Sequence, residues 1–268
     1  MAALAASGLL GGMLGGFLGI GGTVAFMPLL KIICDANPAT PLDPHTAIAA
    51  TLVLNVCVGA SATVGHARSG RIIGSVVKVL VPCSLAAGVA GVCVGNLFTG
   101  EAQAWLWRLF GLMMLYVVAV NVYRLIRPLA PVDAAPGDFA GPPPSPYAVG
   151  AVGLMTGFAA GLLGVGGGTV AVPAQQVLLK MRLRAAIANS AVAVAFSCAL
   201  AAVIKHLWLS AHGADAARPW LFVGLMAPMA IGGALLGSHL THRVGRLWVR
   251  LIFIAFLLWT AYEMLLAA

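Results

Sequence analysis

The sequence predicts an all-α polytopic membrane protein built as an inverted repeat. Of its 268 residues, 61% are hydrophobic and 8% are charged, against about 25% charged residues in soluble domains. A glycine-rich segment occurs twice, and the basic residues gather on one face if each copy is a hairpin that returns to the face it entered from. Each half is then expected to hold one re-entrant helical hairpin and three transmembrane helices.

Eight apolar runs reach or approach the roughly 20 residues that span a bilayer. They cover approximately residues 4–34, 46–65, 72–98, 103–126, 148–179, 185–207, 218–241 and 246–267. The stretch 128–147 is proline-rich and carries Asp133 and Asp138, so it is predicted to be a linker rather than a span. It separates a first membrane repeat, residues 1–127, from a second, residues 148–268.

The repeat lies in the first and fifth of these runs. Residues 6–28 align without a gap with residues 151–173, and ten of the twenty-three positions are identical. Six of the identical positions are glycines, and a matched pair of prolines, Pro28 and Pro173, closes the alignment. A duplicated broken segment in a hydrophobic chain is typical of transporters.

The distribution of charge decides how the two glycine-rich runs are placed. If all eight runs are plain transmembrane helices, the fifteen lysines and arginines divide seven against eight, which gives no orientation. If the two runs are re-entrant hairpins, the division becomes eleven against four, with Lys31, Arg108, Lys205 and Arg218 on the minority face. The second arrangement gives six full spans, a cytoplasmic linker and halves of opposite orientation.

The hairpin turns are the first candidate site. Glycine supplies backbone freedom where a helix breaks at membrane depth, and the second half-helix directs its free amides and positive dipole end at the turn. Such a terminus binds anions. The alternative for these glycines is close helix packing, which also explains Gly8, Gly12 and Gly16. The predicted substrate-binding residues of the turns are Gly21, Gly22, Thr23, Gly166, Gly167 and Gly168.

A second matched segment supplies polar side chains. Residues 45–51 align with residues 184–190, which places Thr51 opposite Ser190. Asn189 precedes Ser190, and Asn55 follows Thr51 by one helical turn. Hydroxyl and amide groups donate to an anion without the cost of burying a fixed charge. Hydrogen bonding between helices, or to the residue's own backbone, is the alternative for these side chains.

Other classes of protein are disfavoured. HExxH, GxSxG and CxxC motifs are missing from the sequence, so we expect no enzyme, no catalytic residues, no metal site and no cofactor. The five cysteines read as small buried hydrophobes. The net charge of +8 is explained by basic residues at helix ends, so no nucleic-acid partner is expected.

The paired motifs GGFLGIGGTVAFMPLL and GLLGVGGGTVAVPAQQVLL, each followed by a helix of the type A-I-A-x-[ST], resemble the TauE/SafE family of sulfite and organosulfur anion transporters. The resemblance covers nearly the whole chain. It implies passage of sulfite, of a sulfonate such as sulfoacetate, or of a related small sulfur anion. Thr23 stands where the second motif has Gly168, so the two half-sites are expected to contribute unequally.

The predicted function is therefore transport of a small sulfur-containing anion by alternating access around a site at the bilayer midplane. A passive anion channel is the alternative, since the same half-helix dipoles serve both. The expected location is the cell membrane, as a multi-pass protein of the bacterial inner membrane. Coupling to protons or sodium and assembly as a homodimer are compatible with the sequence, which specifies neither.

Overall fold

The computed structural model describes residues 2–18, 23–36, 42–126, 139, 143–212, 215–240 and 246–266. Within these residues the chain forms ten α-helices. They are α1 (Ala2–Leu18), α2 (Thr23–Asp35), α3 (Pro44–Arg68), α4 (Gly74–Gly95), α5 (Ala104–Ile126), α6 (Pro146–Leu163), α7 (Gly168–Leu178), α8 (Leu183–Ala211), α9 (Arg218–Leu240) and α10 (Arg246–Leu266), with a short 3-10 helix, Gly100–Gln103, before α5.

Six stretches are long and apolar enough to cross a membrane, which confirms a polytopic membrane protein. They lie in α3, α4, α5 with its preceding turn, α6, α8 and α9. Within the described residues, α1 and α10 contribute shorter apolar stretches, Ala2–Leu14 and Leu251–Leu266. The apolar composition thus produces helices throughout, because in lipid each backbone amide and carbonyl needs an internal partner.

The second glycine-rich run consists of two helices, α6 and α7, separated by residues 164–167. Its arms are unequal: α6 has 18 residues and α7 has 11, whereas two arms of similar length are the simplest expectation for a hairpin. At 1.5 Å per residue, α6 is about 27 Å long. In the first run, α1 ends at Leu18 and α2 begins at Thr23, so the predicted site residues Gly21 and Gly22 lie outside the described residues.

Two helices that begin spans use the same sequence device. At the start of α3, Asp43 accepts a hydrogen bond from the Thr46 amide and Pro44 occupies the first turn. At the start of α6, Ser145 accepts from the Ala148 amide and is followed by a proline in the same way. A side-chain acceptor satisfies an otherwise unpaired amide, and proline has no amide hydrogen to satisfy.

The helix packing is symmetric between the two halves. If α1 to α5 are matched in order with α6 to α10, each of the main packed pairs corresponds to another packed pair or to itself. Helix α4 packs along α6, and α9 packs along α1. Between the halves, α3 packs on α8 and α5 packs on α10. The helix pair α3 and α8 therefore lies at the junction of the two repeats.

Glycines make the α4–α6 and α1–α9 contacts possible. A Cβ added to Gly157 would overlap the backbone of Ser84, and one added to Gly12 would overlap the backbone of Ala230. Gly8, Gly91 and Gly233 meet similar backbone obstacles, which confirms that they serve close helix packing. Without these glycines the two helix pairs would have to separate.

Contacts at the helix ends identify which ends lie together. Phe139, just before α6, forms an antiparallel bridge with Met181, just after α7. Near α4's start, the Ile73 amide donates to Asn189 Oδ1 at 2.9 Å. At the opposite end of α4, the carbonyl of Phe98 accepts from His45 Nε2 at 2.8 Å. The chain therefore enters α6 and leaves α7 at neighbouring positions.

We predict that Gly161→Ala destabilises the protein, because its added methyl group would meet the backbone of Gly88 in α4. Overpacking against backbone costs about 1–3 kcal/mol. Gly224→Ala in α9 is the matched control, since nothing lies within 4 Å of its added Cβ, and this change is expected to be neutral or stabilising. Thermal unfolding in detergent checks the pair, and equal melting temperatures would contradict the packing argument.

Candidate functional site

The turn between α6 and α7 leaves a helix N-terminus open. The α6 helix ends with the Gly164 amide donating to the carbonyl of Ala160 at 2.8 Å. Gly167 precedes α7 without a side-chain cap. Among the described residues, no acceptor is present for the amides of Gly168 and Thr169. The first turn of α7 therefore presents free donors and the positive end of a helix dipole to its surroundings.

Helix α3 requires glycine in this turn. Gly164 and Gly166 have φ values of +65° and +58°, in the left-handed region that favours glycine. A Cβ added to Gly164 would lie 2.5 Å from Thr51 Oγ1, and one added to Gly166 would overlap the Asn55 amide group. Asn55 Nδ2 donates to the carbonyl of Gly164 at 2.9 Å. Side chains of the first repeat thus hold the turn of the second.

The turn lies beside the middle of the two central helices. Asn55 is 11 residues from the start of α3 and 13 residues from its end. On α8, the Cys198 side chain is adjacent to the Gly167 backbone, and Cys198 is 15 residues from the start and 13 from the end of that helix. Both helices are long enough to cross a membrane. The break therefore occurs at about half the depth of the central spans.

Three buried polar atoms next to this turn have no hydrogen-bond partner among the described residues. They are Asn55 Oδ1, Thr156 Oγ1 and Thr169 Oγ1. Each belongs to a residue tied to the turn: Asn55 lies against Gly166, the Thr156 side chain lies against Gly167, and Thr169 is in the first turn of α7. A buried hydroxyl without a partner costs about 1–3 kcal/mol, so their concentration here indicates a place for a polar ligand.

Thr51 differs from these threonines. Its hydroxyl donates to the carbonyls of Ala47 and Ile48, at 2.9 and 3.1 Å. These bonds are the ones proposed as the alternative to ligand binding, and they satisfy the group within its own helix. Thr51 therefore contributes to this arrangement by packing against Gly164.

Asn189 and Ser190 belong to a second polar group, nearer to the start of α8. Gln175 Nε2 donates to Ser190 Oγ at 2.7 Å, while Asn189 Oδ1 accepts from the Ile73 amide. Gln175 Oε1 and Asn189 Nδ2 have no partner among the described residues. Ser190 precedes Cys198, the α8 residue beside the turn, by eight residues, which is about 12 Å along the helix. The predicted site residues thus form two groups rather than one.

The predicted binding residues do not include Thr156, or Thr169 at the end of the glycine-rich segment 164–169. A usable signal existed in the repeat, because Thr156 aligns with Gly11 and Thr169 aligns with Val24. Each is a polar departure within a segment that otherwise repeats small and apolar residues. Of the remaining predicted residues, Thr23 begins α2, Gly166 and Gly167 lie in the turn, and Gly168 begins α7.

The fold and the turn define a class of protein: a multi-pass helical membrane protein with an interrupted helix beside its two central helices. Residues 4–264 match the protein family described as "Sulfite exporter TauE/SafE". Because this match spans nearly the whole chain, the protein belongs to the TauE/SafE family, which confirms the resemblance seen in the motifs.

The chain is also similar to proteins named as transporters. It is 24% identical over 249 residues to the probable membrane transporter protein YunE of Bacillus subtilis, covering 88% of this chain and 87% of YunE. It is 26% identical over 277 residues to the probable membrane transporter protein MamO of Magnetospirillum gryphiswaldense, covering 90% of this chain and 40% of MamO. No solved structure matches the chain.

We predict that Gly166→Ala destabilises the protein more than Gly100→Ala. Both glycines have a φ of +58°, so both changes carry the same left-handed strain of about 1–2 kcal/mol. Only Gly166 also faces Asn55, whereas nothing lies within 4 Å of a Cβ added to Gly100. Melting temperatures in detergent measure the difference. If the two variants lose equal stability, Asn55 does not confine the turn.

Proposed function

We propose that this protein transports a small sulfur-containing anion, namely sulfite, sulfoacetate or a related organosulfonate, by alternating access. The anion binds at the α6–α7 turn, between α3 and α8. The observation that carries the proposal is the open N-terminus of α7, surrounded by buried hydroxyl groups without partners. The family name supplies the sulfur oxyanion as the class of substrate.

The donors around the turn suit an anion that carries several oxygens. The free amides of Gly168 and Thr169 and the hydroxyls of Thr156 and Thr169 supply four N–H or O–H groups. These donors are neutral, so the site has no fixed charge to neutralise when it is empty. The helix dipole adds a favourable field at the same place. Shape then favours small pyramidal or tetrahedral anions over larger ones.

We further propose that the protein has two re-entrant hairpins, α1–α2 and α6–α7, in oppositely oriented halves. The six full spans are then α3, α4, α5, α8, α9 and α10, so α6 is a hairpin arm although its length would allow it to cross. The Phe139–Met181 bridge supports the second hairpin, because the residues before α6 and after α7 are adjacent. The distribution of eleven basic residues against four supports a cytoplasmic location for this end.

Packing direction also supports opposite orientation. Contacts between α4 and α6 advance together, from Cys83 with Gly150 to Gly95 with Leu162, so these helices run parallel. The α1–α9 contacts advance in the same way, from Gly8 with Met226 to Gly12 with Ala230. In each case the first arm of a hairpin runs parallel to the second full span of the other half.

The second half-site is proposed at the turn of the first hairpin, with Gly21, Gly22 and Thr23. Ser190 and Asn189 on α8 correspond to Thr51 and Ala50 on α3, so they are assigned to that half of the pathway. The two halves are unequal, because Val194 is the counterpart of Asn55. Alternating access then moves the hairpins relative to α3 and α8 and exposes the anion to one side at a time.

The hydroxyl contribution is tested by Thr156→Val and Thr169→Val, which keep the shape of the side chain. Because neither hydroxyl has a partner in the described protein, we expect the stability of the ligand-free protein to stay unchanged or rise. Affinity for sulfite should fall about tenfold or more in each variant. Sulfite-dependent thermal stabilisation measures both quantities.

The control for these variants is Thr260→Val. Thr260 is equally buried, but its hydroxyl donates to the carbonyl of Leu257 within α10. This change should lower stability and leave sulfite affinity as in the wild type. Unaltered sulfite affinity in both Thr156→Val and Thr169→Val would exclude their hydroxyls from the site.

Transport itself is tested by flux of sulfite, sulfoacetate, thiosulfate, sulfate and chloride into proteoliposomes. We expect saturable flux of a sulfur-containing anion and exchange between labelled and unlabelled substrate across the membrane. Flux that follows the membrane voltage without saturation or exchange would instead identify a passive channel. The absence of flux for all five anions in folded protein would contradict the proposed function.

A further inference from the structure

A buried lysine joins the two repeats at the end of the bundle opposite the Phe139–Met181 bridge. Lys205 of α8 is only 1% exposed. Its ammonium group donates to His45 Nδ1 of α3 and to Asn96 Oδ1 after α4, each at 2.6 Å. It also lies 4.8 Å from the ring centroid of Trp208. No carboxylate lies within 4 Å of it among the described residues.

The hydrogen bonds of His45 determine its protonation. Its Nε2 faces the carbonyl of Phe98 at 2.8 Å, and a carbonyl only accepts, so Nε2 carries a hydrogen. Nδ1 faces the Lys205 ammonium, which has donors but no acceptor when it is charged. Nδ1 is therefore the unprotonated nitrogen, and His45 is neutral while the contact holds.

One additional proton removes this contact. If Nδ1 of His45 becomes protonated, it no longer accepts from Lys205, and two cations then face each other in a buried place. Like charges in a low-dielectric environment repel strongly. The direct contacts of Lys205 offer little compensation, because Trp208 presents only a ring face and Asn96 is a neutral amide. The Asp43 carboxylate also acts on both cations, but no carboxylate of the described residues pairs with Lys205 directly.

We propose that Lys205 and His45 form a proton-operated latch between the two repeats, and that this pair is the site through which protons are coupled to anion transport. The latch is closed when His45 is neutral and opens when His45 takes up a proton from the outer side. The coupling role depends on the proposed transport function, whereas the latch itself does not.

Of the other ionisable groups near the pair, Asp43 and His212 act on it electrostatically, whereas His206 and Arg218 contact other groups. Asp43, the N-cap of α3, is close enough to act electrostatically on both members. On α8, His206 bonds the carbonyl of Ala202, and His212 stacks on Trp208 with centroids 4.3 Å apart. On α9, the Arg218 guanidinium lies over the Phe222 ring at 5.8 Å. The α4 end contributes Asn96, which does not titrate.

An anion site at Lys205 fits the contacts less well. Lys205 has three donor hydrogens, two of which meet His45 and Asn96 while the ammonium also covers the Trp208 ring. With almost no exposed surface, the group is not aimed at a vacant space. A latch between helices accounts for all three contacts.

The latch is tested in detergent without substrate, using His45→Gln. Glutamine offers an amide oxygen to Lys205 and an N–H to Phe98, but it does not titrate. Across the range in which histidine changes charge, about pH 5 to 8, acidification should lower the melting temperature of the wild type by several degrees. His45→Gln should lose most of this dependence, because glutamine carries no titrating proton in this range.

His206→Gln is the matched control, because His206 is the next residue to Lys205 and bonds only its own helix among the described hydrogen bonds. It should retain the pH dependence of the wild type. An equal acid-induced shift in the wild type and His45→Gln would overturn the latch. It would leave the Lys205 cluster as a fixed structural contact.

The coupling role is tested in proteoliposomes. An acid-outside pH gradient should drive net movement of the sulfur anion in the wild type and in His206→Gln. His45→Gln should lose gradient-driven movement while retaining substrate exchange at equal pH on both sides. Gradient-driven movement at the wild-type level in His45→Gln would overturn coupling through this pair.

The experiments distinguish failure of the transport proposal from failure of the latch proposal. If wild-type protein exchanges none of the sulfur anions, the proposed transport function and the coupling role both fail, and the melting experiment alone decides the latch. If exchange is present but insensitive to pH in every variant, transport stands and coupling through the pair is excluded. Protection of the wild type by chloride or sulfite that vanishes only in Lys205→Met would identify an anion site and contradict the latch.

Discussion

The structure depends on how a helix is interrupted at the depth of the central spans. In hydrocarbon there is no water to satisfy free amides, so a break is tolerated only where protein or a ligand supplies partners. Helix α3 supplies one hydrogen-bond partner to the α6–α7 turn, because Asn55 donates to the carbonyl of Gly164. The amides that begin α7 have no hydrogen-bond acceptor among the described residues. The bundle thus fixes the turn from outside while leaving its donors free.

This constraint explains the composition of the neighbouring helices. To bring α3 and α8 against the turn, α6 and α1 must pack closely on α4 and α9, and glycines remove the side chains that would separate them. Gly59 of α3 allows the same approach to Ala191 and Ala195 of α8. The central pair therefore contacts both the turn and each other. Movement of a hairpin against this pair would change the surroundings of the free donors, which is the basis of the proposed alternation.

Much of the fold was accessible from the sequence, because its signals are local or repeated. Apolar runs predicted the spanning helices, and the duplicated glycines predicted the interruption after Leu163. The unequal lengths of α6 and α7 were not predictable from composition, because both arms are apolar throughout. The family also followed from the motifs, and the profile match confirms it.

The site was less accessible, because its partners are distant along the chain. The glycine pattern located the turn, but the Asn55 contact joins residues 109 positions apart. The Lys205–His45 contact joins residues 160 positions apart. The spacing of apolar residues predicts helices, but it does not predict which residues so far apart in the sequence form a contact. Nor does residue type separate Thr51, which bonds its own helix, from Thr169, which does not; that difference arises from the direction of each hydroxyl in the packed bundle.

The central claim is that a sulfur oxyanion binds at the N-terminus of α7. The most direct measurement is a crystal structure with selenite, whose selenium scatters anomalously and whose shape resembles that of sulfite. The account predicts an anomalous peak beside the turn, with selenite oxygens within about 3.2 Å of the Gly168 and Thr169 amides and the Thr156 hydroxyl. Selenite found only at the protein surface or beside Lys205, with the α7 terminus empty, would contradict it.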